Sequence, residues 1–174
     1  MSGGDGVVFY TTMDSPIGRL YLAGTERGVC RIAFDEEALR DWLVRHLGAE
    51  PGDEAGPLAE VVAQLREYFS RLRRQFDVPM DLRGTSFQRA VWREVASIPY
   101  GTTATYGEIA CRLGRGGRAA RAVGAAVGAN PLPILVPCHR VVGAGGSLVG
   151  YGGGLSRKVW LLRLEGVAVD WEGG

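Results

Sequence analysis

Lysine is almost missing from this 174-residue chain: 19 of its 20 basic residues are arginine, and Lys158 stands alone. The bias fits a GC-rich genome as well as it fits chemistry. Cysteine is scarce, with only Cys30, Cys111 and Cys138, an odd number and no C-x-x-C spacing. Three thiols so placed argue against a disulfide scaffold and against a zinc knuckle, and make a reducing cytoplasm the expected setting. No apolar run approaches 18 residues, so no membrane-spanning helix is expected. The opening Met1-Ser2-Gly3-Gly4-Asp5-Gly6 lacks the charged start and apolar stretch of a secretory signal. Histidine occurs twice, as His46 and His139.

Acidic residues are absent from a long stretch. Residues 1–108 hold 12 basic and 16 acidic residues, a net of −4. Residues 109–164 hold Arg112, Arg115, Arg118, Arg121, Arg140, Arg157, Lys158 and Arg163 without a single Asp or Glu, a net of +8. The tail then carries Glu165, Asp170 and Glu172, and the whole returns to +1. A basic block free of acids reads as a surface that faces a polyanion; a merely solvated arginine-rich face is the plainer alternative.

With 46% hydrophobic and 22% charged residues, the chain has globular composition and length for one ordinary domain or two small ones. Val7–Tyr10, a Ser15-Pro16-Ile17-Gly18 turn and Leu20–Ala23 predict a hairpin, and Val29–Phe34 a third strand. Leu39, Trp42, Leu43 and Leu47 recur at helical spacing, as do Leu58, Val61, Val62, Leu65, Tyr68, Phe69 and Leu72. Gly48–Pro57 reads as a loop, and Phe76–Leu82 alternates like an edge strand. Cys30 reads as a buried small hydrophobe, Cys111 as core, and His46 as surface.

The character changes near Arg83-Gly84. Thr85-Ser86-Phe87-Gln88 is a capping box opening a helix with Phe87, Val91, Val95 and Ile98 on one face. Thr105-Tyr106-Gly107-Glu108 repeats the pattern before a short helix stopped by Gly114. A second short helix, Arg118 to about Val127, is rich in alanine. Two short helices joined by a glycine turn fit a helix-turn-helix. The second helix lacks Asn, Gln and Lys to read base edges, so Arg121 on a smooth surface suits sequence-independent contact.

Pro131-Leu132-Pro133-Ile134-Leu135-Val136-Pro137-Cys138-His139-Arg140 places a thiol beside one of the two histidines. A free thiol is only a few per cent ionised at neutral pH, so a nucleophilic Cys138 needs a base or a positive field close by. Neighbours on an extended strand point apart; contact between Cys138 and His139 needs a sharp bend, a bridging water or helical geometry.

Residues 118–124, Gly128-Ala129-Asn130-Pro131, Pro137-Cys138-His139-Arg140-Val141, Gly150-Tyr151-Gly152-Gly153-Gly154-Leu155 and Lys158–Gly166 together resemble the O6-alkylguanine-DNA alkyltransferases, the methylated-DNA–protein-cysteine methyltransferases. The resemblance implies an α+β chain. A small ribonuclease-H-like N-terminal α/β domain (1–83) would precede a mostly helical, winged-helix-like helix-turn-helix domain (84–174). It implies irreversible, one-time repair that moves an alkyl group from guanine O6, and from thymine O4, onto Cys138. His139 would be the base, acting through a water, and Glu165 its orienting carboxylate. Tyr106 would donate to the departing guanine, and Arg121 would fill the stack after the base flips from the minor groove. Arg118 would contact DNA, and Asn130 would brace the turn before the cysteine. Pro133, Val141, Tyr151 and Gly152 would line the substrate pocket. The partner is double-stranded DNA bearing O6-alkylguanine, bound by a monomer with or without cooperativity; no cofactor, metal or membrane is expected.

Two departures from the family pattern stand out. Gly152 occupies a position where several relatives carry Ser, leaving a Gly152-Gly153-Gly154 lid and predicting altered tolerance for bulky alkyl groups. Zinc ligands used by some relatives in the N-terminal domain are not evident. A binding-only relative lacks the cysteine, and a thiol hydrolase built on Cys138, His139 and Glu165 would leave the arginine-rich block without a purpose.

Overall fold

The computed structural model describes residues 7–171. Met1–Gly6, expected to carry no secretory signal, and Glu172 of the acidic tail lie outside the described residues. The architecture is mixed α+β, with two compact units, Met1–Arg83 and Gly84–Gly174.

In the first unit β1 (Phe9–Met13), β2 (Leu20–Thr25) and β3 (Gly28–Ala33) form an antiparallel sheet in that order. Reciprocal backbone bonds of 3.1 Å between Ser15 and Gly18 close the first hairpin. Helix α1 (Glu36–Leu47) starts where the Asp35 carboxylate accepts from the Ala38 amide, and ends at Gly48 in the left-handed region. Its buried Leu39 and Leu43 pack on Ala23, Cys30 and Ala33 of the sheet. Helix α2 (Leu58–Phe69) buries Leu58, Val61, Val62, Leu65 and Tyr68.

Three expectations for this unit need correction. The first strand begins at Phe9 rather than Val7 and runs on to Met13. The apolar face of α2 does not reach Leu72: the chain leaves the helix at Ser70, Arg71 takes a left-handed φ of 62°, and Leu72 is 78% exposed. Phe76–Leu82 is not a strand but an extended segment with a single parallel bridge, Val29 to Met80. Val29 N–H donates to Pro79 O (3.1 Å) and Asp81 N–H to Val29 O (2.8 Å). This close approach explains Gly28, whose φ is +143° and where any Cβ would overlap the Pro79 carbonyl.

The second unit opens with α3 (Ser86–Ala96), capped as its sequence dictates: Gln88 N–H donates to Thr85 Oγ1 (3.1 Å), and Thr85 N–H to Gln88 Oε1 (2.9 Å). A Thr105 cap, with β4 (Ala104–Thr105), begins α4 (Tyr106–Arg112). A 3₁₀ turn over Gly117–Ala119 then leads into α5 (Ala120–Gly128). Arg118 therefore sits on the turn, not on the second helix. Val123, Ala126 and Val127 of α5 face inward, while Arg121, Ala122 and Ala125 are exposed. The Trp92 indole N–H donates to Ala126 O (2.8 Å) and ties α5 to α3. Cys111, read as core, is exposed on α4. Strand β5 (Val141–Val142) pairs in parallel with β4, and α6 (Leu155–Leu164) closes the unit. No described helix is long and apolar enough to cross a membrane.

Candidate active site

Residues 131–140 are all buried, and the approach to the cysteine is held by its own backbone. Asn130 Nδ2 donates to Val136 O (2.9 Å), and Leu132 N–H donates to Asn130 Oδ1 (3.0 Å). Val136 N–H reaches Leu132 O at 2.9 Å. Within this loop Ile134 takes a φ of 76°. A β-branched residue in the left-handed region costs roughly 1–3 kcal/mol and persists only where its surroundings over-determine it.

The geometry at Cys138 is helical. Cys138–Arg140 forms a 3₁₀ turn closed by Arg140 N–H to Pro137 O at 2.9 Å. The turn sends His139 inward, where it is fully buried, and Cys138 is 8% exposed.

His139 Nε2 lies 2.7 Å from Glu165 Oε2. Glu165, the C-cap of α6, is buried and accepts three further bonds. Arg140 Nε donates to Oε1 (2.8 Å), Arg140 Nη2 to Oε2 (2.9 Å) and the Gly101 amide to Oε1 (3.2 Å). Arg140 also donates Nη1 to Ile98 O (2.7 Å) and lies over the Tyr100 ring at 5.6 Å. With Nε2 against a carboxylate, the ring proton sits on Nε2 and Nδ1 is left as acceptor. Nδ1 is buried and has no hydrogen-bond partner among the described residues. Burial lowers the His139 pKa from the usual 6.5; Glu165 opposes this, and the charges of Arg140 and Lys158 reinforce it. The ring is thus kept neutral and able to take a proton.

Two phenols lie within electrostatic reach of Cys138. Tyr106, half-buried at the first position of α4, has its pKa raised by burial and then by Cys138. Tyr151, its hydroxyl buried, is raised well above 10 by the same two causes. Both remain protonated donors at neutral pH. Lys158 is fully buried, and its Nζ donates to the carbonyls of Val141 (2.7 Å), Val149 (2.9 Å) and Gly150 (3.3 Å).

Comparison with known proteins gives this arrangement its family. Residues 8–82 match the ribonuclease-like domain of 6-O-methylguanine DNA methyltransferase, and residues 86–167 match the DNA binding domain of the same family. A methylated-DNA–protein-cysteine methyltransferase of Mycobacterium tuberculosis is 48% identical over 159 residues, covering 91% of this chain and 93% of the relative. The chain belongs to the 6-O-methylguanine DNA methyltransferase family. A Methanosarcina acetivorans methylated-DNA–protein-cysteine methyltransferase is 42% identical over 164 residues, covering 91% of this chain and 99% of the relative. The crystal structure of M. tuberculosis OGT in complex with DNA superposes with a TM-score of 0.80 at 48% identity, covering 90% of this chain and 92% of that one.

Against the family pattern, the structure brings Cys138, His139 and Glu165 into one buried centre, with Tyr106 and Tyr151 within electrostatic reach of the cysteine. Pro133 and Val141 are buried in the segments flanking it. Arg118 and Arg121 stand apart from this centre, exposed and without partners among the described residues. Gly152 lies on the exposed loop before α6, where an added Cβ would meet nothing within 4 Å. No group of three or more His, Cys, Asp or Glu suited to a metal occurs among the described residues.

The reading of residues 109–164 as a basic surface fails at two positions. Arg140 and Lys158 are internal, not solvated. Arg140 neutralises Glu165, and Lys158 anchors a loop. A signal for the second was present: a compact ammonium with three donors suits three converging carbonyls where a flat guanidinium does not. The one lysine in an arginine-only chain marks that need.

Proposed function

We propose that this protein repairs O6-alkylguanine, and O4-alkylthymine, in double-stranded DNA by moving the alkyl group once and irreversibly onto Cys138. The observation that carries this reading is the buried neutral histidine, with a carboxylate on Nε2 and an unpartnered Nδ1, next to a buried cysteine. Its chemistry is that of an activated thiol: a water relays the Cys138 proton to Nδ1, and Glu165 stabilises the imidazolium that forms. The second unit, residues 84–174, carries both the chemistry and the DNA contact.

In the transfer step the Cys138 sulfur attacks the alkyl carbon, the S–C bond forms, and the C–O6 bond breaks with its electron pair going to the purine. Tyr106 donates its hydroxyl proton to the departing base and is reprotonated from His139, so the net proton path runs from thiol to guanine. The target base must leave the duplex, at a cost of a few kcal/mol. Arg121, exposed on the smooth outer face of α5, fills the vacated stack; Arg118 contacts the backbone beside it. Asn130 braces the turn, and Pro133, Val141, Tyr151 and Gly152 bound the pocket. The chain acts as a monomer in a reducing cytoplasm and needs no cofactor.

Mass spectrometry tests the assignment. Incubation with duplex DNA containing O6-methylguanine adds one methyl group to the peptide holding Cys138. DNA binding with that peptide unmodified would leave a lesion-binding protein instead.

A further inference from the structure

The buried carboxylate of Glu165 stands between two bases of different strength. Arg140 meets it edge to edge, with Nε on Oε1 at 2.8 Å and Nη2 on Oε2 at 2.9 Å, the paired geometry of a guanidinium fork. His139 Nε2 reaches the same Oε2 at 2.7 Å. Arginine thus holds both oxygens, and the ring shares one of them. The remaining arm of Arg140 donates to Ile98 O (2.7 Å), and its guanidinium carbon lies 5.6 Å from the centre of the Tyr100 ring, which fixes the pose of the fork. Side-chain exposure is 0% for His139 and Glu165 and 7% for Arg140, so water does little to screen the three.

An enclosed carboxylate neutralises one cation. Guanidinium is ionised at every working pH, whereas imidazole ionises near 6.5, so that place goes to Arg140. A protonated ring would be a second cation on the same carboxylate. Lys158 of α6 also repels a charged ring, and its Nζ bonds go to the carbonyls of Val141, Val149 and Gly150. Tyr106 of α4 and Tyr151 of the loop before α6 stay protonated. Helix α3, which packs on the same turn, directs Arg89 and Arg93 to solvent.

We propose that Arg140 makes His139 a carrier of the thiol proton and not its resting place: by holding both oxygens of Glu165, it supplies the one cation the carboxylate balances and leaves the ring neutral until Cys138 ionises. Arg140 is a positioning residue, acting through Glu165 and the ring. The inference rests on the function proposed above. There the ring takes the thiol proton at Nδ1 through water and returns it through Tyr106 as the C–O6 bond breaks and its electron pair goes to the purine. The ring is charged only between those two events, while the opposite charge is on sulfur or on the departing base. Without Arg140 the carboxylate belongs to the ring alone. His139 is then ionised before the reaction starts, Nδ1 already holds a proton, and the thiol has no base.

The test uses the full chain with ¹⁵N-labelled histidine in a His46→Gln background, so that one ring is observed. The parent ring is expected to be neutral with its proton on Nε2 down to pH 6. In Arg140→Met its midpoint rises by at least about one unit, a tenfold change in proton affinity. Alkylation of Cys138 by free O6-benzylguanine, followed by mass, slows about tenfold at pH 7 in that variant and regains most of the loss by pH 9, its profile displaced upward with the ring. Arg140→Lys keeps the cation without the fork, so both midpoints stay near those of the parent even where it melts lower. If Arg140→Met does not fold, Arg140→Gln, an uncharged donor, takes its place and gives the same rise. A parent ring ionised at pH 7 overturns the proposal, and so does an uncharged variant that loses stability and rate with neither midpoint moved, since the arginine would then be structural only. A chain that takes no alkyl group from damaged DNA or from the free base would overturn the proposed function and leave the ring midpoints standing.

Discussion

Replacing Glu165 by glutamine keeps the shape of the side chain and removes one charge from a fully enclosed site. Four donors converge on the carboxylate: His139 Nε2 and Arg140 Nη2 on Oε2, and Arg140 Nε and the Gly101 amide on Oε1. An amide has one acceptor oxygen. If that oxygen takes the Oε1 place, the NH₂ group faces His139 and Arg140 Nη2, both donors. If it takes the Oε2 place, Arg140 Nε and Gly101 N–H lose their acceptor. Either way about two buried bonds are lost and the Arg140 cation has no anion beside it, which costs about 3–5 kcal/mol. At roughly 2–4 °C per kcal/mol for a chain of this size, the melting temperature falls on the order of 10 °C by calorimetry. The amide also lets His139 accept at Nε2 and carry its proton on Nδ1, the nitrogen that must take the thiol proton. Methyl transfer to the protein, followed by mass, therefore slows about 10²–10⁴-fold at neutral pH. A Glu165→Gln protein melting within about 1 °C of the parent and repairing at a similar rate would refute the account of this centre.

Three other outcomes are expected. Because the folded pKa of His139 lies below its unfolded value, the unfolded chain binds more protons as pH falls below about 6.5. Stability should then drop toward pH 5 by up to about 1.4 kcal/mol per pH unit, a slope measured by urea titration and flattened in His139→Gln; a parent without the slope contradicts the burial argument. Arg121→Ala should react normally with free O6-benzylguanine and lose repair of duplex DNA, measured as protein alkylated against time; equal loss on both substrates removes Arg121 from base extrusion. Gly152→Ser adds a hydroxymethyl group where a Cβ meets nothing within 4 Å, so stability should stay within about 0.5 kcal/mol. The ratio of O6-benzyl to O6-methyl repair should change as the loop stiffens, and identical ratios would sink that reading.

Local rules made much of the fold legible. The capping box of Thr85 and Gln88 can be read because all its donors and acceptors lie within four residues, and α1 because Leu39 and Leu43 repeat at its period. What depends on distant partners could not be read. Leu72 continues the spacing of α2, yet Arg71 turns left-handed first and carries it into solvent. Cys111 sits one residue after the buried Ala110, and only the packing of α4 decides that it faces outward. At the site, the residues themselves single out Cys138 beside His139, the resemblance adds Glu165 and the role of each, and residue-level reasoning leaves extended and helical geometry open at the cysteine. The 3₁₀ turn resolves that choice. Arg140 reads as surface because its neutralising carboxylate lies 25 residues away, and a charge in sequence shows no partner.

The single lysine of this chain is fully enclosed. The folded protein therefore offers no side-chain amine to solvent, and acylating reagents, amine crosslinkers and any tagging system that builds isopeptide bonds find none while the 149–150 carbonyls hold Nζ. A protein that carries such a label on Lys158, as distinct from its N-terminal amine, has already let go of that loop. Such labelling gives a one-residue gauge of how often the C-terminal unit opens, and it needs no engineered probe.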